Sequence, residues 1–225
     1  MLKKELVITI DGPSGAGKTT VSKTLAARIG YRYIDTGALY RGIALETQLR
    51  GIAADDEAGI EVACRSIDLR FRLEDGDLRL YSGDNDISDL IRTPEISMRA
   101  SAVSALAPVR SFLTVLQRRL GEERAVVFEG RDMGTVVFPE ADVKFFLDAD
   151  TEIRAERRYE ELKAKGENVD FDQVKKDLVT RDENDSTRKI APLKPAEDAV
   201  HVDASRIGVE EVVETMAKVV ASVRS

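Results

Sequence analysis

Two rhythms of apolar residues alternate along most of this chain. Short apolar runs at Leu6–Ile10, Tyr31–Asp35, Ala125–Phe128, Val143–Leu147 and Asp198–Val202 read as five strands. Between them the apolar positions recur at helical spacing, as in Val21, Leu25 and Ile29. Further helices are expected from Thr36 to about Leu49 with Gly51 as a stop, from Asp55 to about Ser66, from Pro94 onward, and over Val109–Leu120. Glu152–Lys165 is closed by Gly166, and Phe171–Thr180 starts another helix, which runs into Arg181–Arg188. The last helix carries Val209, Val212, Val213, Met216, Val220 and Val223 on one face, which should pack on a sheet. Strands alternating with helices predict a parallel, doubly wound sheet with right-handed crossovers, its ligands bound beyond the carboxyl ends of the strands.

One stretch breaks that order. Ile67–Leu73 alternates apolar and polar, Glu74–Asp77 reads as a turn, and Leu78–Tyr81 answers it before a second turn at Ser82–Asn85 and a last short run, Asp86–Ser88. These are hairpin signals, so a small antiparallel insertion is expected inside the α/β chain. The expected organisation is a core over 1–62, the insertion over 63–93, core again over 94–150, a helical region over 151–190 and a final core segment over 191–225. Cys64 should be a small buried apolar residue.

The first strand runs into Gly12-Pro13-Ser14-Gly15-Ala16-Gly17-Lys18-Thr19-Thr20, and a helix follows. Strand, glycine-rich turn and helix are the context that a Walker A phosphate loop requires. The glycines allow a tight wrap whose N–H groups point inward at phosphate oxygens, and the following helix aims the positive end of its dipole there. Lys18 is expected to reach the β- and γ-phosphates of a nucleoside triphosphate. A threonine hydroxyl, Thr19 or the following Thr20, is expected to ligate Mg²⁺. Asp35-Thr36, Glu129-Gly130-Arg131-Asp132 and Asp148 also end strands, and should converge with the loop.

Bulk composition narrows the setting. No apolar run approaches the ~20 residues of a membrane span. The N-terminus leads straight into the first strand, which leaves no room for a signal peptide. A single cysteine permits no intrachain disulfide, so a cytoplasmic protein is expected. A net charge of −7 argues against nucleic acid as the main partner. Yet Arg outnumbers Lys, 22 to 12. The planar guanidinium fork grips phosphate bidentately, so local arginine clusters for small anions are expected.

Gly12–Lys18, Asp35–Arg41, Gly130–Pro139, Arg181–Arg188 and Pro192–Ala199, in this order and spacing, resemble bacterial-type cytidylate kinase, a P-loop nucleoside monophosphate kinase family. The Gly130-Arg131-Asp132-Met133-Gly134 stretch is the most specific of them, and the meander at about 67–90 matches an insertion of the bacterial type. The resemblance implies a P-loop NTPase-type five-stranded parallel sheet wrapped by helices, a β insertion that helps bind the monophosphate, and a helical lid. It implies transfer of the ATP γ-phosphoryl group to CMP and dCMP by a monomer. Arg41, Arg131 and Arg188 would hold the acceptor phosphate. Ser101, Arg110 and Asp132 would read the cytosine edge, Arg181 and Asp185 would meet the ribose, and Thr36 and Tyr40 would line the pocket. Arginines between about 154 and 188 would cover the donor phosphates, although Arg154, Arg157 and Arg158 could equally be paired to Glu161 and its neighbours by helix spacing. Glu129 stands where this family more often has Asp, so one more methylene must be accommodated if it orients Mg²⁺-bound water. Thr19 stands where Gly or Ser is frequent.

The chemistry implied needs no general base, because a nucleoside monophosphate is already largely a dianion at neutral pH. What it needs is positive charge to bring that dianion against a triphosphate. The lone histidine, His201, is accordingly expected to be structural. The competing possibility is a P-loop hydrolase or nucleotide-dependent switch. A GTPase switch would pair an Asp-x-x-Gly loop with an Asn-Lys-x-Asp base reader, and no Asn-Lys-x-Asp is in the sequence.

Overall fold

The computed structural model describes residues 4–74 and 77–224. The expected turn at Glu74–Asp77 therefore lies partly outside the described residues. By contacts the chain divides into two compact units, one built from the chain up to Tyr33 together with the chain from Glu123 onward, the other from Ile34–Glu122.

The first unit holds most of the main sheet. β1 (Val7–Asp11) leads through the glycine loop into α1 (Lys18–Ile29), and β2 (Arg32–Asp35) follows. After the second unit come β6 (Val126–Gly130), β7 (Val143–Asp148), α6 (Thr151–Ala164), α7 (Phe171–Thr187), β8 (Val200–Asp203) and α8 (Val209–Arg224). The strand order is β2-β6-β1-β7-β8. β1 pairs in parallel with both β6 and β7, and β7 with β8. This is the parallel α/β sheet the apolar runs call for, with β1 in the middle because it is buried along its whole length. Leu6, Ile8, Ile10, Val21, Leu25, Phe145 and Leu147 form its core with Val212, Val213, Met216 and Val220 of α8.

The second unit contains α2 (Thr36–Leu49), α3 (Glu57–Cys64), the antiparallel strands β3 (Leu69–Glu74), β4 (Asp77–Ser82) and β5 (Asn85–Asp86), then α4 (Pro94–Val103) and α5 (Ala107–Gly121). The three strands form their own sheet in the order β3-β4-β5. A separate apolar cluster, including Leu39, Ile43, Ile60, Leu80, Ile91 and Leu113, fills this unit. Cys64 is buried in it, as expected.

Several expectations need correction. The last strand of the meander is Asn85–Asp86 rather than Asp86–Ser88, because Ser88 leaves the ladder to receive the Leu80 N–H on its hydroxyl at 2.8 Å. α5 begins at Ala107 rather than Val109, which takes Pro108 into its first turn, where no N–H is missed. α7, begun at Phe171, runs on to Thr187, which places Arg181 and Asp185 within the helix. Val209 and Val223 are 39% and 38% exposed, so the buried stripe of α8 is narrower than its apolar pattern. His201 sits exposed on β8 with its ring against Phe146, centroids 5.6 Å apart, away from any charged cluster.

Candidate functional site

The glycine loop joins β1 to α1 by a route open only to residues without a side chain. A Cβ on Gly12 would lie 1.9 Å from the Leu147 carbonyl oxygen, so the chain passes against β7 with no space for one. Gly17, the residue before α1, adopts φ +89°, a left-handed conformation that glycine reaches without strain. No side chain caps the amino end of α1, and no acidic residue occupies its first turn. The orphan N–H groups and the dipole there thus face whatever the loop encloses. Lys18 opens the helix, buried, with its ammonium donating to the Pro13 carbonyl at 2.5 Å. Burial, with Arg131 and Arg181 nearby, depresses its pKa to about 7. An anion at this point would favour its charged form.

Thr19 and Glu129 meet in the same unit. The Thr19 hydroxyl donates to Glu129 Oε1 at 3.0 Å, and the Tyr33 hydroxyl donates to Glu129 Oε2 at 2.6 Å. A phenol from within β2 thus fixes the second carboxylate oxygen of Glu129. Of the two threonines, Thr19 is the one that faces a carboxylate. Tyr33 escapes sequence reading because its partner lies 96 residues away.

Arginines gather at the carboxyl end of β6. Arg131 Nε donates to Asp185 Oδ2 at 3.0 Å, and Arg188 lies 3.7 Å from Asp185 Oδ1 and 3.5 Å from Asp132 Oδ1. Arg188 also donates to the Ala191 carbonyl at 2.7 Å. Burial alone would raise the Asp185 pKa, but Arg131, Arg181 and Arg188 together hold it below the ordinary carboxylate range. Arg181 reaches the loop itself, its guanidinium 3.4 Å from the Ser14 hydroxyl. Lys18, Thr19, Glu129, Arg131, Asp132, Arg181, Asp185 and Arg188 are thus assembled in one unit, brought together from the amino end of α1, the end of β6 and the second half of α7.

The arginines of α6 separate into different roles. Arg158 pairs with Glu161 at 2.7 Å, as helix spacing allows. Arg154 does not: it is buried, and donates to the carbonyls of Ala149 and Ser14 at 2.8 and 2.9 Å and to Asp182 at 2.5 Å. It ties the glycine loop to α6 and α7. Arg157 donates to the Ala204 carbonyl at 2.7 Å, and its guanidinium would lie 3.9 Å from a Cβ on Gly17.

The remaining predicted residues belong to the second unit. Asp35 caps α2 by accepting from the Ala38 N–H at 3.1 Å, and pairs with Arg41 at 2.7 Å. Its burial would raise its pKa, yet Arg41 and the capping N–H hold it low. Thr36 and Tyr40 are buried on the same helix. The Arg110 guanidinium lies 5.7 Å from the Tyr40 ring centroid and donates to the Ser104 carbonyl at 3.1 Å. Ser101 Oγ is buried and makes no hydrogen bond among the described residues. A hydroxyl left that way is costly unless a ligand completes it. Among the described residues no helix is long and apolar enough to cross a membrane.

Comparison with known proteins bears on the family and the fold. The family model described as cytidylate kinase matches residues 8–222. The chain is 49% identical over 220 residues to a cytidylate kinase of Syntrophotalea carbinolica, covering 98% of this chain and 94% of that one. It is 48% identical over 218 residues to the cytidylate kinase of Geobacter sulfurreducens, with coverage of 97% and 94%. Among solved structures it resembles a gluconokinase from Sinorhizobium meliloti 1021, with a TM-score of 0.51, 17% identity and coverage of 99% and 95%. A shikimate kinase from Acinetobacter baumannii in complex with shikimate gives a TM-score of 0.50 at 14% identity, covering 98% and 95%. These two likenesses concern the fold alone.

Proposed function

Because the chain belongs to the cytidylate kinase family, we propose that it passes the γ-phosphoryl group of ATP to CMP and to dCMP, giving ADP and the corresponding diphosphate. The observation that carries this reading is the company around Lys18. A phosphate loop that only hydrolysed its nucleotide would need one anion site, whereas Arg131 and Arg188 bracket Asp185 beside the loop as a second. Two anions that repel each other need this much fixed positive charge to lie in line.

The roles divide as follows. Gly12, Pro13, Ser14, Gly15, Ala16, Gly17, Lys18, Thr19 and Thr20 wrap the donor phosphates, with backbone N–H groups and the amino end of α1 as donors. Lys18, Arg131, Arg181 and Arg188 stabilise the charge on the transferring group. Arg41, Arg131 and Arg188 hold the acceptor phosphate, and Thr36 and Tyr40 line its pocket. Ser101, Arg110 and Asp132 read the cytosine edge, and Arg181 and Asp185 meet the ribose. A pocket that accepts from the cytosine amino group leaves polar groups unmatched when uracil enters, which supports discrimination against UMP. The segment 63–93 serves the monophosphate, and the helices of 151–190 exclude water, the competing acceptor.

The hydroxyl of Thr19 and the carboxylate of Glu129, 3.0 Å apart, are hard oxygen donors of the kind Mg²⁺ takes. They would hold it, Thr19 directly and Glu129 through water. When bound, the ion neutralises charge on the donor phosphates. The orientation of those donors comes from the chain: Tyr33 fixes Glu129 and α1 fixes Thr19. We place the enzyme in the cytoplasm as a monomer, acting on nucleotides rather than nucleic acid or membranes.

The test is to mix the protein with Mg-ATP and each nucleoside monophosphate in turn and to follow ADP. ADP should form only when CMP or dCMP is present, and Arg131→Ala should lower kcat on the order of 10³-fold. ADP released equally without an acceptor would sink the reading in favour of a hydrolase.

A further inference from the structure

Asp11 is the last residue of β1, buried, and none of the roles above uses it. Its carboxylate is fully engaged across the sheet. Oδ1 accepts from the Met133 N–H at 2.9 Å and Oδ2 from the Gly134 N–H at 2.8 Å. Those two N–H groups open a single turn of π-helix, Met133–Val137, that follows directly on Arg131 and Asp132. The turn closes with the Val137 N–H on the Asp132 carbonyl at 3.2 Å and the Phe138 N–H on the Met133 carbonyl at 2.7 Å. π-turns are rare and found mostly as single turns, often at functional sites. The first N–H groups of any helix have no partner within it, so this turn leans on an outside acceptor.

The register explains why Asp11 can be that acceptor. Asp11 stands opposite Gly130 in the parallel pair β1–β6. Its side chain therefore reaches the turn three to four residues beyond the strand end, while its own backbone continues into Gly12 and the phosphate loop. Arg131 and Asp132 are confined between Gly130, held in the sheet, and Met133, held by Asp11. A Cβ on Gly134 would come within 3.0 Å of the Thr9 hydroxyl and 3.1 Å of Lys144, so the turn is also pressed close to β1 and β7. Holding a carboxylate here is costly: burial is the main cause that lifts the Asp11 pKa to about 6, with Asp132 adding to it, while the two N–H groups and Lys18 oppose the rise.

We propose that Asp11 is a positioning residue for the acceptor side of the reaction, fixing Arg131 and Asp132 through the amides of Met133 and Gly134. This rests on the reading of Arg131 and Asp132 as acceptor-binding residues. Asp11→Asn is nearly isosteric but offers one acceptor, and its amide group sets a donor against the second N–H. In this variant kcat with CMP should fall by about 10²-fold, the order expected when a reacting group is misplaced by about 1 Å. KM for CMP should rise about tenfold, while KM for ATP stays within about twofold because the phosphate loop keeps its own contacts. Amide hydrogen exchange, measured without nucleotide, should show Met133 and Gly134 protected in the wild-type protein and one or both faster in the variant. Equal losses for ATP and CMP would overturn the proposal, and so would wild-type Met133 and Gly134 amides exchanging as fast as those of an open loop. The second measurement needs no variant and decides the matter even if Asp11→Asn does not fold. Turnover of CMP by the wild-type enzyme tests the functional reading separately, since the exchange result does not depend on it.

Discussion

At the scale of single residues the site is a charge balance centred on one carboxylate. Asp185 is largely buried, yet its pKa is held low because three arginines outweigh the cost of burial. A carboxylate with a depressed folded-state pKa contributes stability above its unfolded value, near ~3.9, and loses it as the pH falls through the folded value. Asp185→Asn should therefore destabilise the nucleotide-free protein by about 3 kcal/mol at neutral pH, since it leaves buried guanidinium groups without their counter-charge. The difference from wild type should shrink as the solution is acidified below ~pH 4, which urea titrations at several pH values would measure. A difference independent of pH would mean that packing, not charge, accounts for the loss. Most residues in this network were legible from the chain: Arg131 follows a strand end, and Arg181 and Arg188 were singled out by the family resemblance of the stretch that holds them. Tyr33 and Arg154 could not be assigned their partners. Tyr33 meets Glu129 from 96 positions away, and Arg154 meets Ser14 from 140. No local pattern distinguishes such a contact from an ordinary strand tyrosine or a surface helix arginine.

At the scale of elements, type and order followed from periodicity, while ends were decided by contacts outside the segment. α7 carries on past Thr180 through Asp182, Asn184 and Asp185, residues of modest helix propensity. Asp182 is held by Arg154 and Asp185 by Arg131, and those tertiary pairs outweigh propensity. The π-turn at Met133–Val137 had no sequence signal, because its stabilising acceptor sits on another strand. The glycine loop was the opposite case, fully specified by its own residues. Gly12→Ala should abolish nucleotide binding, since a methyl group cannot occupy a point 1.9 Å from the Leu147 carbonyl oxygen without displacing β7 from the loop. Isothermal titration with ATP would then show no heat of binding, alongside a folded protein by circular dichroism or a chain that fails to fold. Retained affinity in a folded Gly12→Ala protein would contradict the close approach.

At the scale of the whole molecule, the five-stranded sheet and the small antiparallel sheet were both legible, since one is written in apolar runs and the other in strict alternation. Less legible was how much chain accompanies the meander. Rather than standing alone, its strands share an apolar core with α2, α3, α4 and α5, because a three-stranded sheet of short strands cannot bury enough surface by itself. Each unit thus has its own core and its own set of predicted ligand contacts. Hydrogen exchange with a non-hydrolysable ATP analogue should slow the amides of 12–20. CMP should instead slow those around 36–41, 101–110 and 131–137. CMP protection confined to the unit that holds the phosphate loop would remove Arg41, Ser101 and Arg110 from the proposed acceptor site.

The bare amino end of α1 has a consequence for the enzyme outside its catalytic cycle. Gly17 supplies no side-chain acceptor, so the first turn of that helix is completed by a passing phosphate or by water. A ligand that binds only the folded chain adds RT ln(1 + [L]/Kd) to its stability. Nucleoside triphosphate then becomes a preservative as well as a reactant, and a copy of this kinase left without it would be the first to fray.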